Sequence, residues 1–435
     1  MPRALFFPSY QGGGFGRTAD CLAVAQELVR RGWQTAFVLD GQHSSRVRAT
    51  GQLVLDPHCP LTTVLGRLAG LLRRGSGRAP VYLLFTDMSF QIVRDGLNSP
   101  RVVRQRVEAE LARVRQFRPT VLIGQGWPLL SIVGRLAGLP VVQIIQAVTH
   151  PAAPRLVWWQ DPPENVIGPD VRPVFNPVLG DLGLPPIRLA EDLLAGDLFL
   201  VHSIPELDPL PGGLANTHYV GALVRQDPEA MRLPARFGDL PCDHPLIYVT
   251  VGGGAMGNRQ FLETLYAALA GMRITVVVST TQRPVPKAIL PPQPDIRYYH
   301  WVPGPAMIAR SQSVIFHGGH STMVETVRYG IPSIVVPFHT EQEANGRRLA
   351  AAGAARVLVP DPSTLRMVRG RWPGGEFSFM ARYDPFPSAV QLREAVTEIL
   401  REPSYLIHAR CLQERMAGYG GPSQAADLVE DLVVF

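Results

Sequence analysis

Lysine is almost missing from this 435-residue chain: of its 42 basic side chains only Lys287 is a lysine, and the rest are arginine. A guanidinium is a planar fork suited to phosphate and carboxylate groups, although an arginine-rich surface is also an ordinary outcome of a GC-rich coding sequence. The net charge of +6 and pI near 9.3 come without a polybasic block or a basic stripe interleaved with aromatics, so a nucleic-acid partner is not expected. Cysteine is scarce too. Cys21, Cys59, Cys242 and Cys411 lie far apart with no Cys-x-x-Cys, which implies neither a zinc site nor a disulfide framework. No Asp-x-Asp and no His/Asp/Glu cluster at ligand spacing occurs, so no metal is expected. Gly-x-Ser-x-Gly is absent as well, which removes a hydrolase nucleophile elbow. The apolar run near the N-terminus is too short for a signal peptide, and no stretch reaches the roughly 20 apolar residues that span a bilayer. The expectation is a cytoplasmic protein, with peripheral membrane contact left open.

What is present is globular. With 46% hydrophobic and 18% charged residues, a chain of this length can bury the cores of two domains. Strand-like apolar runs alternate with helical patterns: RALFFP, a glycine turn at 12–16, a helix over 18–31 with Leu22, Ala25, Leu28 and Val29 on one face, and a strand ending at Asp40. VYLLFTD (81–87), a charged helix near 100–117, VLIGQG, a helix through 137 and PVVQII follow. Residues 150–190, rich in proline and tryptophan, read as a long irregular excursion. The pattern resumes at LIYVTV and runs through ITVVVST, IRYYHWVP, SVIFHGG and PSIVVPF to a helix ending near Gly353. Apolar runs of this kind between helices predict an α/β fold of two doubly wound, Rossmann-like parallel sheets facing a cleft. We place the first domain at 1–222, a linker at 223–245 that would act as a hinge, the second domain at 246–402, and a C-terminal helix over 403–435 returning toward the first domain.

Two segments carry chemistry. In LIYVTVGGGAMG (246–257), Gly252, Gly254 and Gly257 fit G-x-G-x-x-G between a strand and a helix, where backbone N–H groups can cradle phosphate; a plain tight turn explains them equally well. The next strand ends VVVSTT without an acid for a dinucleotide ribose, which disfavours NAD or FAD here. In IFHGGHSTMVETVRYGIP, a strand delivers His317 to its end, Gly318 and Gly319 allow close backbone approach, and Ser321 and Thr322 open a helix whose N-terminus suits an anion. His317 could donate to a phosphate oxygen. Glu325, one turn in, could accept from two ribose hydroxyls, or close a capping box with Thr322.

His317, Gly319, Ser321, Thr322 and Glu325, with Trp301-Val302-Pro303 upstream and Glu341-Gln342-x-x-Asn345 downstream, resemble the donor-binding signature of GT-B-fold glycosyltransferases. The likeness is to the UDP-glycosyltransferase type and to the related N-acetylglucosaminyltransferase of peptidoglycan synthesis, and it is specific over about 300–360. It implies that His317, Gly319, His320, Ser321 and Thr322, with Gly253 and Gly254, lie at the diphosphate, Glu325 at the ribose, Trp301 and Val302 at the base, and Glu341 and Gln342 at the sugar. Glu341 stands where an aspartate is more usual.

The same resemblance puts the acceptor beside Gly14, Gly16 and Arg17. A histidine base usually stands where this chain has Arg17, which has no proton-accepting form near pH 7. Asp20, Asp87 and His150 are the candidates to replace it. Asp20 is one turn from Arg17 and could equally be its ion-pair partner, with a lowered pKa. The expected function is sugar transfer from a UDP or dTDP sugar, the co-substrate, to a small-molecule or lipid-linked acceptor hydroxyl or amine, inverting, with no metal and no other cofactor. A nucleotide-sugar epimerase or hydrolase, a Rossmann oxidoreductase using the N-terminal glycines with Asp40, and a non-catalytic sugar-nucleotide binder are the rivals.

Overall fold

The computed structural model describes residues 1–9, 14–57, 80–152, 166–225, 232–240, 243–252, 259–280, 284–289 and 295–434. Strands β1 (Arg3–Pro8), β2 (Gln34–Val38), β3 (Leu53–Leu55), β5 (Val121–Gln125), β6 (Val141–Ile145), β7 (Leu198–Val201) and β8 (Thr217–Tyr219) form a seven-stranded sheet in the order β3-β2-β1-β5-β6-β7-β8. β4 is Tyr82–Leu84 and belongs elsewhere. Strands β9 (Leu246–Thr250), β10 (Thr275–Ser279), β11 (Ile296–Tyr299), β12 (Ser313–Phe316), β13 (Ser333–Val335) and β14 (Ala355–Val357) form a second sheet in the order β11-β10-β9-β12-β13-β14. Neighbours in both sheets pair in parallel.

The apolar runs explain the layering. Alternate residues of a strand face opposite sides. In β1, Leu5 and Phe7 join one buried cluster and Ala4 and Phe6 the other; in β9, Leu246 and Tyr248 separate from Ile247 and Val249 in the same way. Each sheet is therefore covered on both faces, as doubly wound domains require. The expected α/β architecture of two parallel sheets is the one observed.

Several expectations of the fold need correction. VYLLFTD does not enter the first parallel sheet. β4 instead pairs antiparallel with β16 (Gly375–Arg382), which forms a hairpin with β15 (Arg366–Trp372), making a three-stranded sheet that joins residues of both halves. A main-chain bond from Leu83 N–H to Phe338 O (2.9 Å) and one from Phe85 N–H to the Thr340 side-chain Oγ1 (2.8 Å) extend that join. Phe85, Phe90, Phe377 and Phe379 stack beside it, and Trp372 is buried in the first half's core. Secondly, the stretch 150–190 holds a helix, Arg172–Asp181, because Val174, Phe175, Val178 and Leu179 recur on one buried face despite two prolines. Thirdly, Val29 is exposed, since its helix (Gly16–Arg30) turns only Leu22, Ala25 and Leu28 of that set inward. Within the linker expected at 223–245, the described residues Val224, Phe237 and Leu240 are buried in the cluster that holds Tyr248 of β9.

The C-terminal region is two helices, Pro403–Ala417 and Pro422–Val434, where one was expected. The first buries Ala409, Leu412 and Met416 in the second half. The second buries Ala425, Ala426 and Val429 against the first sheet, where Arg31 reaches Asp427 and Glu430 at 2.5 and 2.8 Å. Among the described residues no helix is long and apolar enough to cross a membrane.

Candidate active site

Both sheets reverse strand order next to their first strand, the place where ligands of such sheets bind. β9 and β12 lie side by side with Thr250 opposite Phe316, so the residues that follow, Gly252 and His317, leave adjacent strand ends. Gly252 has φ +60°, and a Cβ on it would stand 2.6 Å from the His317 ring. A Cβ on Gly319 would stand 2.5 Å from Nε2 of the same ring. The imidazole is thus slotted between two glycine backbones. Burial pushes its pKa down to about 4, with Glu341 and the Thr250 backbone pulling the other way. Its Nδ1 is buried with no partner among the described residues, so an anion placed there would supply the missing counter-charge.

The helix His320–Arg328 begins at His320 with Gly319 as N-cap and no side-chain cap. The capping box drawn from Thr322 to Glu325 is therefore not formed, because the helix starts two residues earlier. Ser321 and Thr322 are partly exposed in its first turn. The Glu325 carboxylate lies under the turn at 301–304, where a Cβ on Gly304 would be 3.7 Å from Oε2. Beside it Trp301 is 53% exposed while Val302 is buried. Burial, then the charge of Asp20, pushes the Glu325 pKa up to about 8. That value lies above the ordinary one of 4.5, so the folded state favours the protonated form and loses stability as pH rises toward 8. Glu325→Gln should therefore raise the melting temperature more at pH 8.5 than at pH 5; equal gains at both would show that the carboxyl is not held in a low-dielectric site.

Glu341, expected at the sugar, is the carboxylate the site holds charged. Burial opposes its ionisation, but His339, Arg17 and His320, with a hydrogen bond from Gln146, bring its pKa below the usual range. Asn345 Nδ2 donates to it at 3.3 Å. Gln342, expected at the sugar beside Glu341, turns inward instead: it is buried and its Oε1 accepts from Phe338 N–H at 2.9 Å, because the backbone before the helix Thr340–Ala351 needs an acceptor there. Gly253, Gly254 and Gly257 lie outside the described residues.

The facing half supplies Gly14, exposed, and Gly16, where a Cβ would stand 2.7 Å from Ser321 Oγ. The first turns of the helices Gly16–Arg30 and His320–Arg328 thus meet across the cleft. Arg17 lies against the Gly126 backbone and donates to Gln91 Oε1 at 2.9 Å. Desolvation, then Arg94, lowers its pKa, and Glu341 heads the groups that oppose the shift. The ion pair considered between Arg17 and Asp20 is not made. Asp20, 5% exposed, accepts instead on Oδ2 from Gln125 Nε2 at 2.9 Å and from Ser321 Oγ at 2.8 Å. Its pKa is not lowered by the arginine, as expected from the sequence, but raised to about 6, because burial outweighs those hydrogen bonds and the nearby His320 and Arg17.

The other base candidates are occupied locally. Asp87 accepts from Ser89 N–H at 2.8 Å, from Ser89 Oγ and from Thr86 Oγ1, a turn that starts the helix Ser89–Arg94. His150 accepts from Ala152 N–H on Nδ1 and donates from Nε2 to Thr217 Oγ1, both at 3.1 Å. The threonine hydroxyl is itself spent on Ala215 O, so neither ring nitrogen is left to take a proton. His320, expected at the diphosphate, is buried and turns to the opposite half, 3.4 Å from Asp208 Oδ2 and with its ring 4.3 Å from that of His202. Gln125, His202 and Asp208 were missed. For the first two the available signal was a polar residue at the end of an apolar strand run, VLIGQ and LFLVH. Among the described residues no group of three His, Cys, Asp or Glu could hold a metal ion.

Residues 263–371 match the family described as erythromycin biosynthesis protein CIII-like, C-terminal domain. A PGL/p-HBAD biosynthesis glycosyltransferase of Mycobacterium tuberculosis is 30% identical over 279 residues, 59% of this chain; the match spans 63% of that protein's length. The 4'-demethylrebeccamycin synthase of Lentzea aerocolonigenes is 23% identical over 97% of both chains. Among solved structures, spinosyn rhamnosyltransferase SpnG complexed with thymidine diphosphate superposes with a TM-score of 0.66 at 18% identity, over 99% of both chains. The likeness to the peptidoglycan enzyme stays an expectation from the motif alone. The chain has the GT-B fold of these transferases, and its residues 263–371 are similar to the erythromycin CIII-like C-terminal domain.

Proposed function

We propose that this chain transfers a sugar from a thymidine or uridine diphosphate sugar to a hydroxyl of a small-molecule or lipid-linked acceptor, with inversion and without a metal ion. The observation that carries the reading is the apposition across one cleft of two sets of residues. His317, clasped by Gly252 and Gly319 at an uncapped helix N-terminus, stands on one side; Asp20, with a pKa near 6, stands on the other. The acceptor oxygen would attack the anomeric carbon as the bond from that carbon to the diphosphate breaks. The acceptor proton would pass to Asp20, and the leaving diphosphate charge to His317 and the helix N–H groups. Both hydrogen bonds that Asp20 accepts fall on Oδ2, which leaves Oδ1 for the proton among the described residues. Glu341, held charged, would bind sugar hydroxyls, and Trp301 would offer its exposed face to the base. A nucleoside-diphosphate complex among the structural relatives supports the donor class. A carboxylate base facing the donor residues favours transfer over a donor-only epimerase.

A melting-temperature screen of nucleotides and nucleotide sugars in the presence of a chelator tests the donor assignment. A thymidine or uridine diphosphate sugar at a hundredfold over its Kd should stabilise the protein by about 2.7 kcal/mol. Stabilisation that appears only after magnesium or manganese is added would overturn the metal-free part.

A further inference from the structure

His202 follows β7 at the C-terminal edge of the first sheet, is 1% exposed, and takes no part in the chemistry above. Gln125 fixes its state. The amide nitrogen of Gln125 must face Asp20, because a carboxylate accepts and does not donate. The same nitrogen is 3.1 Å from His202 Nε2, so that ring nitrogen accepts and the ring proton sits on Nδ1. Nδ1 lies 3.5 Å from Asp20 Oδ2 but makes no hydrogen bond to it and is buried without a partner among the described residues. Burial, then the neighbouring His320 and Arg17, drives the pKa of His202 well below the usual range, which keeps the imidazole neutral in that tautomer. The ring cannot be the base itself, since Nε2 is taken by Gln125 and Nδ1 carries the proton.

The opposite half holds this ring in place. His320 packs on it at 4.3 Å between centroids and is itself beside Asp208. Asp208 accepts from Arg348 at 3.0 Å and from Ala147 N–H at 2.9 Å. The side chains that bear on Asp20 are thus Arg17 and Cys21 on its own helix, Gln125 and His202 at strand ends of its own half, and Ser321, His320 and Glu325 on the facing helix.

We propose that His202 is a positioning residue for Asp20: its Nε2 accepts from the Gln125 amide and so turns that amide to hold Oδ2, which leaves Oδ1 for the acceptor, while His320 packs on the ring from the other half. This rests on the reading of Asp20 as base for glycosyl transfer. The test compares His202→Ala, His202→Asn and His202→Gln with Asp20→Asn, at saturating donor and across pH. An asparagine amide can stand near the place of Nδ1 and a glutamine amide near that of Nε2. We expect His202→Ala to lower kcat roughly tenfold or more, short of the loss of about 10²–10⁴-fold expected when a base is removed. Its acid limb should move to higher pH, as loosening of the Gln125 donor to the charged carboxylate requires. Donor affinity should be unchanged. His202→Gln, whose amide oxygen can accept from Gln125 as Nε2 does, should recover rate and limb together, and His202→Asn should not. Recovery by asparagine alone, or equal losses in all three with an unmoved limb, would overturn the assignment and leave a packing role. If Asp20→Asn is slow while His202→Ala keeps wild-type kcat and limb, only this inference fails. If Asp20→Asn keeps wild-type rate, the base reading fails first.

Discussion

Asp20→Asn should slow sugar transfer by about 10²–10⁴-fold, the usual contribution of a general base, and should make the protein more stable at the same time. The two effects have one cause. Burial holds the Asp20 carboxyl at about 6 against an ordinary 3.8. A raised folded-state pKa means that the stability present below pH 3.8 is lost as pH climbs through 6. Two units correspond to about 3 kcal/mol at pH 8, which a neutral amide of the same shape would restore. The amide oxygen can still accept from Gln125 or Ser321, so the cleft should keep its form and donor affinity its value. Wild-type rate should fall on the acid side with an apparent pKa near 6, and that limb should vanish in the variant. Turnover within a few-fold of wild type at pH 7.5, with donor binding unchanged, would remove Asp20 from the chemistry.

Gly319→Ala should weaken nucleotide binding by as much as His317→Ala does. The new methyl would stand 2.5 Å from Nε2, with Gly252 closing the ring's other side, so the imidazole must leave its slot. A lost hydrogen bond to a charged group costs about 1.5–3 kcal/mol, roughly ten- to 150-fold in Kd. Because both changes remove the same contact, the double variant should lose little more than either single one. Calorimetric titration with the nucleoside diphosphate reads all three. A Gly319→Ala protein that binds as tightly as wild type would show that His317 does not contact the diphosphate.

The sheets were legible because their strands are buried on both faces and so read as unbroken apolar runs; LIYVT and SVIF could hardly be anything else. The residues proposed to bind the donor were legible for a related reason: His317, Ser321 and Glu325 sit in one stretch of chain, so a single motif carries them. Asp20 was visible as a candidate, but its environment was not. Its hydrogen-bond partners Gln125 and Ser321 and its neighbour His202 lie 105, 301 and 182 positions away (125 − 20, 321 − 20, 202 − 20), and its pKa is set by burial that no local pattern encodes. The sequence suggested a short-range pair with Arg17, whereas folding brings Gln91 to the arginine and Ser321 to the aspartate. VYLLFTD misled for the opposite reason. Its composition suits a central strand, but its hydrogen-bond partners come from a hairpin near the other end of the chain.

That hairpin bears on how this protein could be recombined with its relatives. Laboratory hybrids of two-domain transferases are naturally cut between the halves, here somewhere in 223–245. In this chain such a cut would separate β16 from β4, and Trp372 from the core it enters. It would also part the final helix from the helix Gly16–Arg30 that it covers. A hybrid joined only at the linker would confront each half with a foreign strand and a foreign helix. One that exchanges residues 366–382 and 422–434 together with the first half would keep every such pairing native, and it should be the hybrid that can be purified as a folded monodisperse protein.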